Sequence, residues 1–170
     1  MSFISGKTQL IGLIANPVAQ AASPGLANTW LQQHNLQQKY VVVPMAVEVA
    51  QLHSYVNGLR RLQNFSGAIV SMPFKTQMAE LVDKLSAKAQ AIGAVNVIRR
   101  DTNGKLSGDI LDGEGFVTGL QHHGFTVTHK HCVLAGAGGA ASAVALALLQ
   151  HGCASLCIVN RTVAKANQLK

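Results

Sequence analysis

Residues 132–141 read Cys132-Val133-Leu134-Ala135-Gly136-Ala137-Gly138-Gly139-Ala140-Ala141, an apolar run that passes directly into a glycine-rich turn. Residues 140–150 are nearly all Ala, Leu and Val, so the pattern predicts a strand, a tight turn and a helix. In that context G-x-G-x-x-A is typical of a dinucleotide-binding turn. Gly136 permits the tight turn, Gly138 lets the backbone approach a pyrophosphate, and Ala141 lets the helix pack closely on the strand. The candidate cofactor-binding residues are Gly136, Ala137, Gly138, Gly139 and Ala140; the alternative is a glycine-rich turn without a ligand.

The next predicted strand, residues 156–159, ends at Asn160-Arg161-Thr162. NAD-binding folds usually carry an acidic residue at this point for the ribose hydroxyls, and this sequence has none. Arg161 can instead pair with a 2′-phosphate, and Thr162 can donate a hydrogen bond to it. We therefore expect Asn160, Arg161 and Thr162 to bind the cofactor and NADP to be preferred over NAD. A solvated arginine after a strand is the alternative interpretation.

Apolar runs of strand length recur along the chain, and stretches with helical spacing separate most of them. The other predicted strands are 10–15, 40–43, 68–70 and 95–98, and the other predicted helices are 24–36, 49–62 and 76–85. This alternation predicts an α/β fold with mostly parallel sheets. The pattern weakens between Arg99 and Lys130, so we expect a first domain of residues 1–106. The second, residues 107–170, would be the start of a Rossmann-type domain that is incomplete in this chain.

Composition narrows the possible partners. The chain carries a net charge of +7, but its Lys and Arg are dispersed without aromatic interleaving, which favours small anionic ligands over nucleic acid. No apolar run is long enough to span a membrane, and no secretory signal is recognisable, so we expect a cytoplasmic protein. The three cysteines are expected to be reduced core thiols. The histidines at 122, 123, 129 and 131 lack companion ligands, and no metal site is predicted.

Three further segments place unusual residue types just after predicted strands: Asn16-Pro17 through Ser23-Pro24 to Asn28, Ser71-Met72-Pro73-Phe74-Lys75, and Asp112-Gly113-Glu114-Gly115-Phe116. With Ile92-Gly93-Ala94-Val95-Asn96 and the two cofactor segments, they resemble the shikimate/quinate dehydrogenase family in order and spacing. The resemblance implies an N-terminal α/β substrate domain, a Rossmann-type NADP domain and an active site in the cleft between them. It also implies hydride transfer between NADP(H) and a ring hydroxyl or ketone of shikimate, quinate or a related cyclohexene carboxylate, as in 3-dehydroshikimate reduction.

The resemblance assigns roles to individual residues. Lys75 matches the family's catalytic lysine and Asp112 its aspartate partner. A ketone that receives hydride develops alkoxide character, which an ammonium can stabilise and protonate while a carboxylate holds the lysine. Ser23, Ser71 and Asn96 match substrate-binding positions. The alternatives are an exposed residue at a helix start for Lys75, a turn former for Asp112, a helix N-cap for Ser23 and local backbone pairing for Asn96.

Several positions depart from the family pattern. Ala21 and Ile69 replace a serine and an asparagine, Ile110-Leu111 replaces Asn-Thr, and Ser142 replaces an arginine. We expect a less polar pocket wall and therefore a divergent member that uses shikimate poorly. The alternative is a non-catalytic dinucleotide-binding or regulatory relative with a decayed pocket. The chain stops within a predicted crossover helix. The resemblance implies that a further C-terminal part supplies the rest of the nicotinamide pocket and more substrate contacts, so we expect the 170-residue chain to be inactive alone; the full protein is expected to be a monomer or homodimer.

Overall fold

The computed structural model describes residues 4–167, except the side chain of residue 165. The chain divides into two compact units. The first contains the residues up to Gln90 together with Ala94–Asp109, and the second contains Ala91–Gly93 and the residues from Ile110 onward. The division therefore follows Asp109, whereas the sequence pattern placed the boundary after Leu106.

The first unit is built on a six-stranded sheet. Its strands are β1 (Gln9–Ala15), β2 (Tyr40–Ala46), β3 (Phe65–Val70), β4 (Lys84–Leu85), β5 (Val97–Arg100) and β6 (Leu106–Asp109), in the order β2-β1-β3-β5-β6-β4. β1 pairs in parallel with β2 and β3, and β4 with β6. β5 runs antiparallel to both of its neighbours. The sheet is thus mostly parallel, as the sequence predicted, with an antiparallel insertion that it did not predict.

Four helices follow these strands: α1 (Ser23–Gln33), α2 (Leu52–Arg61), α3 (Lys75–Leu81) and α4 (Ala87–Ile92), whose last two residues belong to the second unit. The core lies along β1 and β3, where Leu13, Ile14 and Val70 are buried. Successive residues of a strand point to opposite faces, so the consecutive burial of Leu13 and Ile14 means that both faces of the sheet are covered there.

The structure departs most from the predicted elements in three stretches of the chain. The stretch 49–62 begins as a 3-10 turn (Val49–Gln51) before α2. The predicted helix 76–85 ends at Leu81, because Lys84 and Leu85 pair with β6 instead. The weakly patterned stretch after Arg99 contains β6 and an 11-residue helix, α5 (Asp112–His122), whose three glycines and acidic start obscured the helical spacing.

The second unit contains two parallel strands, β7 (His131–Ala135) and β8 (Ser155–Val159). The helix α6 (Gly139–Gln150) connects them, and α7 (Val163–Asn167) follows β8. Val117 of α5, Val127, and Ala147 and Leu148 of α6 form its buried core. Within the part of the chain that the structure describes, no helix has the length and apolar character of a membrane span.

Candidate functional site

The carboxyl ends of β1 and β3 carry two loops that are bonded to each other. The Asn16 amide donates to the Met72 carbonyl at 3.0 Å, and the Ser71 amide donates to the Ile14 carbonyl at 2.9 Å. The Asn16-Pro17 and Met72-Pro73 peptide bonds are both cis. Ser71, which is half-buried, is therefore held at this edge of the sheet by the strand beside it.

Asn96 is brought to the same edge by the reversal of β5. Because β5 is antiparallel to β3, its first residues lie beside the last residues of β3, and Val97 pairs with Ile69. The Val70 amide donates to the Asn96 carbonyl at 2.7 Å, and the Asn96 amide donates to the Asp109 carbonyl at 3.0 Å. The side chain is buried at 9% exposure, which is unusual for an uncharged polar residue outside the sheet proper. Both of its backbone groups are therefore bonded, one to β3 and one to the end of β6.

Lys75 is the first residue of α3 and is half-buried. Its carbonyl accepts a hydrogen bond from the Val95 amide at 2.8 Å, which fixes the start of α3 next to the segment that carries Asn96. Phe74 immediately before it is fully buried and anchors the turn from β3 into the helix. Lys75 and Asn96 are therefore neighbours at the edge where β1, β3 and β6 end. We call this the carboxyl edge of the first unit.

Ser23 begins α1, which follows the loop leaving the carboxyl end of β1. The N-cap of α1 is Ala22, without a side-chain capping bond, so the interpretation of Ser23 as the N-cap was wrong. Ser23 is half-buried. Asn28, one turn further on, anchors the helix to β2. Its amide group donates to the Val42 carbonyl at 2.8 Å and its oxygen accepts from the Val42 amide at 2.9 Å.

Two residues at this edge escaped the sequence analysis. Asp109 ends β6, and its carboxylate accepts a hydrogen bond from the Ser86 hydroxyl, which also accepts from the Ala89 amide at 3.1 Å. The only signal was a charged residue at the end of an unrecognised strand. A cavity of about 350 Å³ reaches Asp109 and Ser86 over the face of β4, β5 and β6, and its lining does not include Lys75 or Asn96.

The positions that depart from the family pattern have different surroundings. Ile110 is 2% exposed, so its side chain is packed in the interior and does not form an open pocket wall, contrary to expectation. Leu111 is 42% exposed and Ala21 and Ile69 are half-buried. Of these four side chains, only that of Ile110 is fully buried; the other three are at least partly exposed.

In the second unit, Asp112 is the half-buried first residue of α5 and lies in its acidic first turn. The alternative interpretation of Asp112 was a turn former, whereas the structure places it in a helix. Gly113 beside it lies against α6: an added Cβ would come within 2.1 Å of the Ala143 carbonyl oxygen. The chain reaches Asp112 three residues after β6 ends at the carboxyl edge.

The glycine-rich turn has the predicted strand-turn-helix form. Gly136 has φ +125°, a conformation that residues with a side chain rarely adopt, and its amide donates to the Val159 carbonyl at 2.8 Å. Gly138 is the N-cap of α6, and an added Cβ there would meet open space. The first bond within the helix runs from the Ser142 amide to the Gly138 carbonyl at 2.9 Å. The amides of Gly139, Ala140 and Ala141 consequently have no helical acceptor and can bind an anion.

The segment after β8 exposes its arginine to solvent. Asn160 closes the turn by donating from its side chain to the Thr162 carbonyl at 2.8 Å, while Arg161 and Thr162 are exposed. The Ser142 hydroxyl donates to the Gly138 carbonyl at 3.1 Å, so it completes the glycine turn. These residues are compatible with a dinucleotide, since the first amides of α6 have no helical acceptor and a guanidinium follows the second strand.

Within the described residues, no three or more His, Cys, Asp or Glu side chains are grouped as a metal site. The histidines have other contacts. His131 bonds the Ser155 hydroxyl at 2.8 Å, and His151 lies 3.3 Å from the Glu114 carboxylate. The cysteines are free thiols. Cys153 lies beside Cys132, and burial is the main cause that raises its pKa.

Sequence profiles of two related domains match the chain. The profile described as shikimate dehydrogenase substrate binding domain matches residues 13–98, and that described as shikimate / quinate 5-dehydrogenase matches residues 120–170. A shikimate dehydrogenase (NADP(+)) of Rubrobacter xylanophilus is 41% identical over 98% of this chain, and one of Alkaliphilus oremlandii is 39% identical. The chain spans 58% and 57% of those two relatives.

Solved structures also resemble the chain over almost its whole length. The shikimate 5-dehydrogenase of Listeria monocytogenes, in complex with shikimate and NAD, has a TM-score of 0.90 and 36% identity over 99% of this chain and 58% of its own. A ligand-free 5-ketofructose reductase of a Gluconobacter species has a TM-score of 0.86 and 29% identity over 97% of this chain and 58% of its own.

Proposed function

Because the chain belongs to the shikimate dehydrogenase family, we propose that it is part of an NADP-dependent oxidoreductase acting on a ring hydroxyl or ketone of an anionic cyclohexene or cyclohexane carboxylate. The reaction with shikimate would be the reversible reduction of 3-dehydroshikimate. The observation that carries the proposal is the carboxyl edge, where the Val70–Asn96–Asp109 backbone bonds and the Lys75–Val95 bond hold a lysine and a buried asparagine together. Ligands of open α/β sheets bind at such edges.

In the proposed mechanism Lys75 acts on the oxygen of the reacting carbonyl. As hydride adds to the carbonyl carbon, negative charge develops on that oxygen, and the ammonium stabilises it and transfers a proton to it. Asp112 would orient Lys75 in the complete enzyme and balance its charge. Both residues follow strands that end at the carboxyl edge, Lys75 after β3 and Asp112 after β6, which supports this pairing.

We propose that Ser23, Ser71 and Asn96 bind the substrate. Ser71 and Asn96 are held at the carboxyl edge by backbone bonds, so their positions are set before a ligand arrives. Such preorganisation lowers the ordering cost of binding. Ala21 and Ile69 remove two polar groups from this region, and each lost hydrogen bond to a charged group weakens binding by about ten- to a hundredfold. We therefore propose poor use of shikimate relative to a less hydroxylated ring acid.

NADP(H) would supply or accept the hydride. Gly136, Ala137, Gly138, Gly139 and Ala140 would contact its pyrophosphate, and Asn160, Arg161 and Thr162 its adenosine 2′-phosphate. Curated relatives and a solved neighbour carry NADP in their names or titles, which supports this choice. The Listeria structure contains NAD, so resemblance to it does not by itself favour NADP. We therefore assign the preference for NADP in this chain to the exposed Arg161.

The proposal is tested by following NADP reduction at 340 nm with shikimate, quinate and less hydroxylated ring acids, using the full-length protein and its Lys75→Ala variant. We expect kcat to fall about 10²- to 10⁴-fold in the variant. Lys84→Ala, which removes an exposed lysine of β4, is the matched control and should retain activity. NADP binding without turnover on any acid would favour the regulatory alternative. Shikimate kinetics like those of the Listeria enzyme would contradict the altered preference.

A further inference from the structure

A second polar cleft of about 500 Å³ lies at the opposite edge of the same sheet. It is bordered by Gln9 at the start of β1, Phe65 at the start of β3, and Arg100 at the end of the antiparallel β5. These are the ends of the strands furthest from Asn16, Ser71 and Asn96. The cleft is therefore separate from the carboxyl edge, and its volume is within the range of small-molecule sites.

Arg100 is held rigidly in the wall of this cleft. Its Nε donates to the Arg60 carbonyl at 2.8 Å, and one terminal nitrogen donates to the Asp101 carbonyl at 3.1 Å. A guanidinium has five N–H donors in a planar fork, so three remain for a ligand. Because backbone carbonyls do not neutralise charge, Arg100 presents a fixed positive charge.

Arg61 supplies a second guanidinium from the last residue of α2. Among the residues that the structure describes, its side chain has no hydrogen-bond or ion-pair partner. The same is true of the side chains of Gln63, Thr102 and Asn103, which also line the cleft. Two cations and three neutral hydrogen-bonding groups thus face one space.

Asp101 is the one acidic residue in the lining, and its carboxylate is already used. One oxygen accepts the amides of Asn103 and Lys105, each at 2.9 Å, which closes the turn between β5 and β6. The carboxylate therefore serves the turn and not the arginines, and the lining has a net positive charge.

We propose that this cleft binds the phosphate group of a small phosphorylated metabolite. Arginine forks match phosphate oxygens in charge and in bidentate geometry, and the neighbouring amides and hydroxyl can bond the rest of a polar ligand. The cleft shares no residue with the proposed dehydrogenase site, so its ligand binding can be tested separately from the dehydrogenase activity.

Isothermal titration of the full-length protein with glycerol 3-phosphate, at low ionic strength and without other anions, tests the inference. We expect millimolar binding that weakens at least tenfold in Arg61→Ala, a variant that removes no contact of the folded protein. Inorganic phosphate should bind at the same site but more weakly, because it cannot use Gln63, Thr102 and Asn103 fully.

Two arginine controls identify where the ligand binds. Arg99→Ala changes the neighbouring residue of β5, whose side chain lines the other face of the sheet, and should leave binding unchanged. Arg161→Ala should also leave it unchanged. If binding is lost in Arg161→Ala and kept in Arg61→Ala, the ligand occupies the glycine turn and the proposal is wrong. An absence of binding at millimolar glycerol 3-phosphate, or equal affinities in all variants, overturns it too.

Discussion

Gly113 shows how one residue sets the position of its neighbours. An added Cβ would lie 2.1 Å from the Ala143 carbonyl oxygen and 2.9 Å from the Ala147 Cβ, so the backbones of α5 and α6 touch at this point. Only glycine allows that approach. Because Gly113 follows Asp112 directly, the close crossing of the two helices also fixes the backbone position of Asp112, from which its side chain extends.

We expect Gly113→Ala to lower the free energy of unfolding by about 3 kcal/mol or more, since the clash is with backbone that cannot rotate away. Gly115→Ala in the same helix is the matched control. An added Cβ there meets nothing within 4 Å, and alanine favours helix by up to about 1 kcal/mol. Urea denaturation of both variants measures the difference; equal stabilities would contradict the close helix crossing.

Arg161 carries the proposed preference for NADP. Removing it should raise the KM for NADP about ten- to a hundredfold, because a charge-assisted bond to the 2′-phosphate is lost. The KM for NAD, which lacks that phosphate, should change little in the same variant. Steady-state kinetics of Arg161→Ala with both cofactors gives the comparison, and a parallel rise in both KM values would assign Arg161 a structural role.

At the scale of elements, Asp83 ties together the strands at the end of the sheet. Its carboxylate accepts the Leu106 amide at 2.7 Å and pairs with Arg60, whose guanidinium also bonds the Leu81 carbonyl. The Leu106 amide, followed by the Arg60 guanidinium, holds the pKa of Asp83 below its ordinary value of 3.8. The short strand β4 begins at the next residue, so these bonds stop α3 and start the strand.

This lowered pKa gives a pH-dependent stability. A carboxyl whose pKa is lower in the folded than in the unfolded chain stabilises fully above the unfolded value, and the contribution is lost as pH falls through the folded pKa. We expect Asp83→Asn to cost roughly 1 kcal/mol near neutral pH, with the difference from the unmodified protein vanishing in acid. Denaturation curves at several pH values test this, with Glu80→Gln on α3 as control. A difference that persists below the folded pKa would exclude the charge as its cause.

For the whole molecule, the position of β6 decides where the first unit ends. Its residues pair with β5 up to Asp109, opposite Val97, and with β4 at Ser107 and Gly108. A unit that ended at Leu106 would lose this strand and expose both neighbours. We therefore propose that the first domain extends through Asp109.

Truncated chains test the boundary. We expect a chain that ends after Asp109 to unfold in one cooperative transition, and a chain that ends after Leu106 to lose that cooperativity because β4 and β5 lose their shared partner. Circular dichroism during thermal unfolding measures both. Equally cooperative unfolding of the two chains would show that β6 is dispensable and would support the boundary after Leu106.

The sequence indicated which side chains could carry the chemistry of the candidate site, but it did not indicate the hydrogen bonds that hold those residues in place. Lys75, Ser71 and Asn96 were recognised because they stand in distinctive local segments, and their roles stay predictions. Asp109 and Ser86 were not recognised. Their significance depends on the hydrogen bond between them, which joins residues 23 positions apart in the chain, and local patterns contain no such information.

By itself the sequence determined the α/β class, the strand-turn-helix of the glycine-rich segment and most of the parallel pairing, because these follow from short-range periodicity and from glycine's backbone freedom. Only the tertiary structure decided the reversal of β5, the two-residue β4 and the helical state of α5. In each case long-range bonds outweigh weak local preference: β5 and β6 pair across a turn, β4 is a strand only because β6 is beside it, and α5 is stabilised by packing of Gly113 on α6.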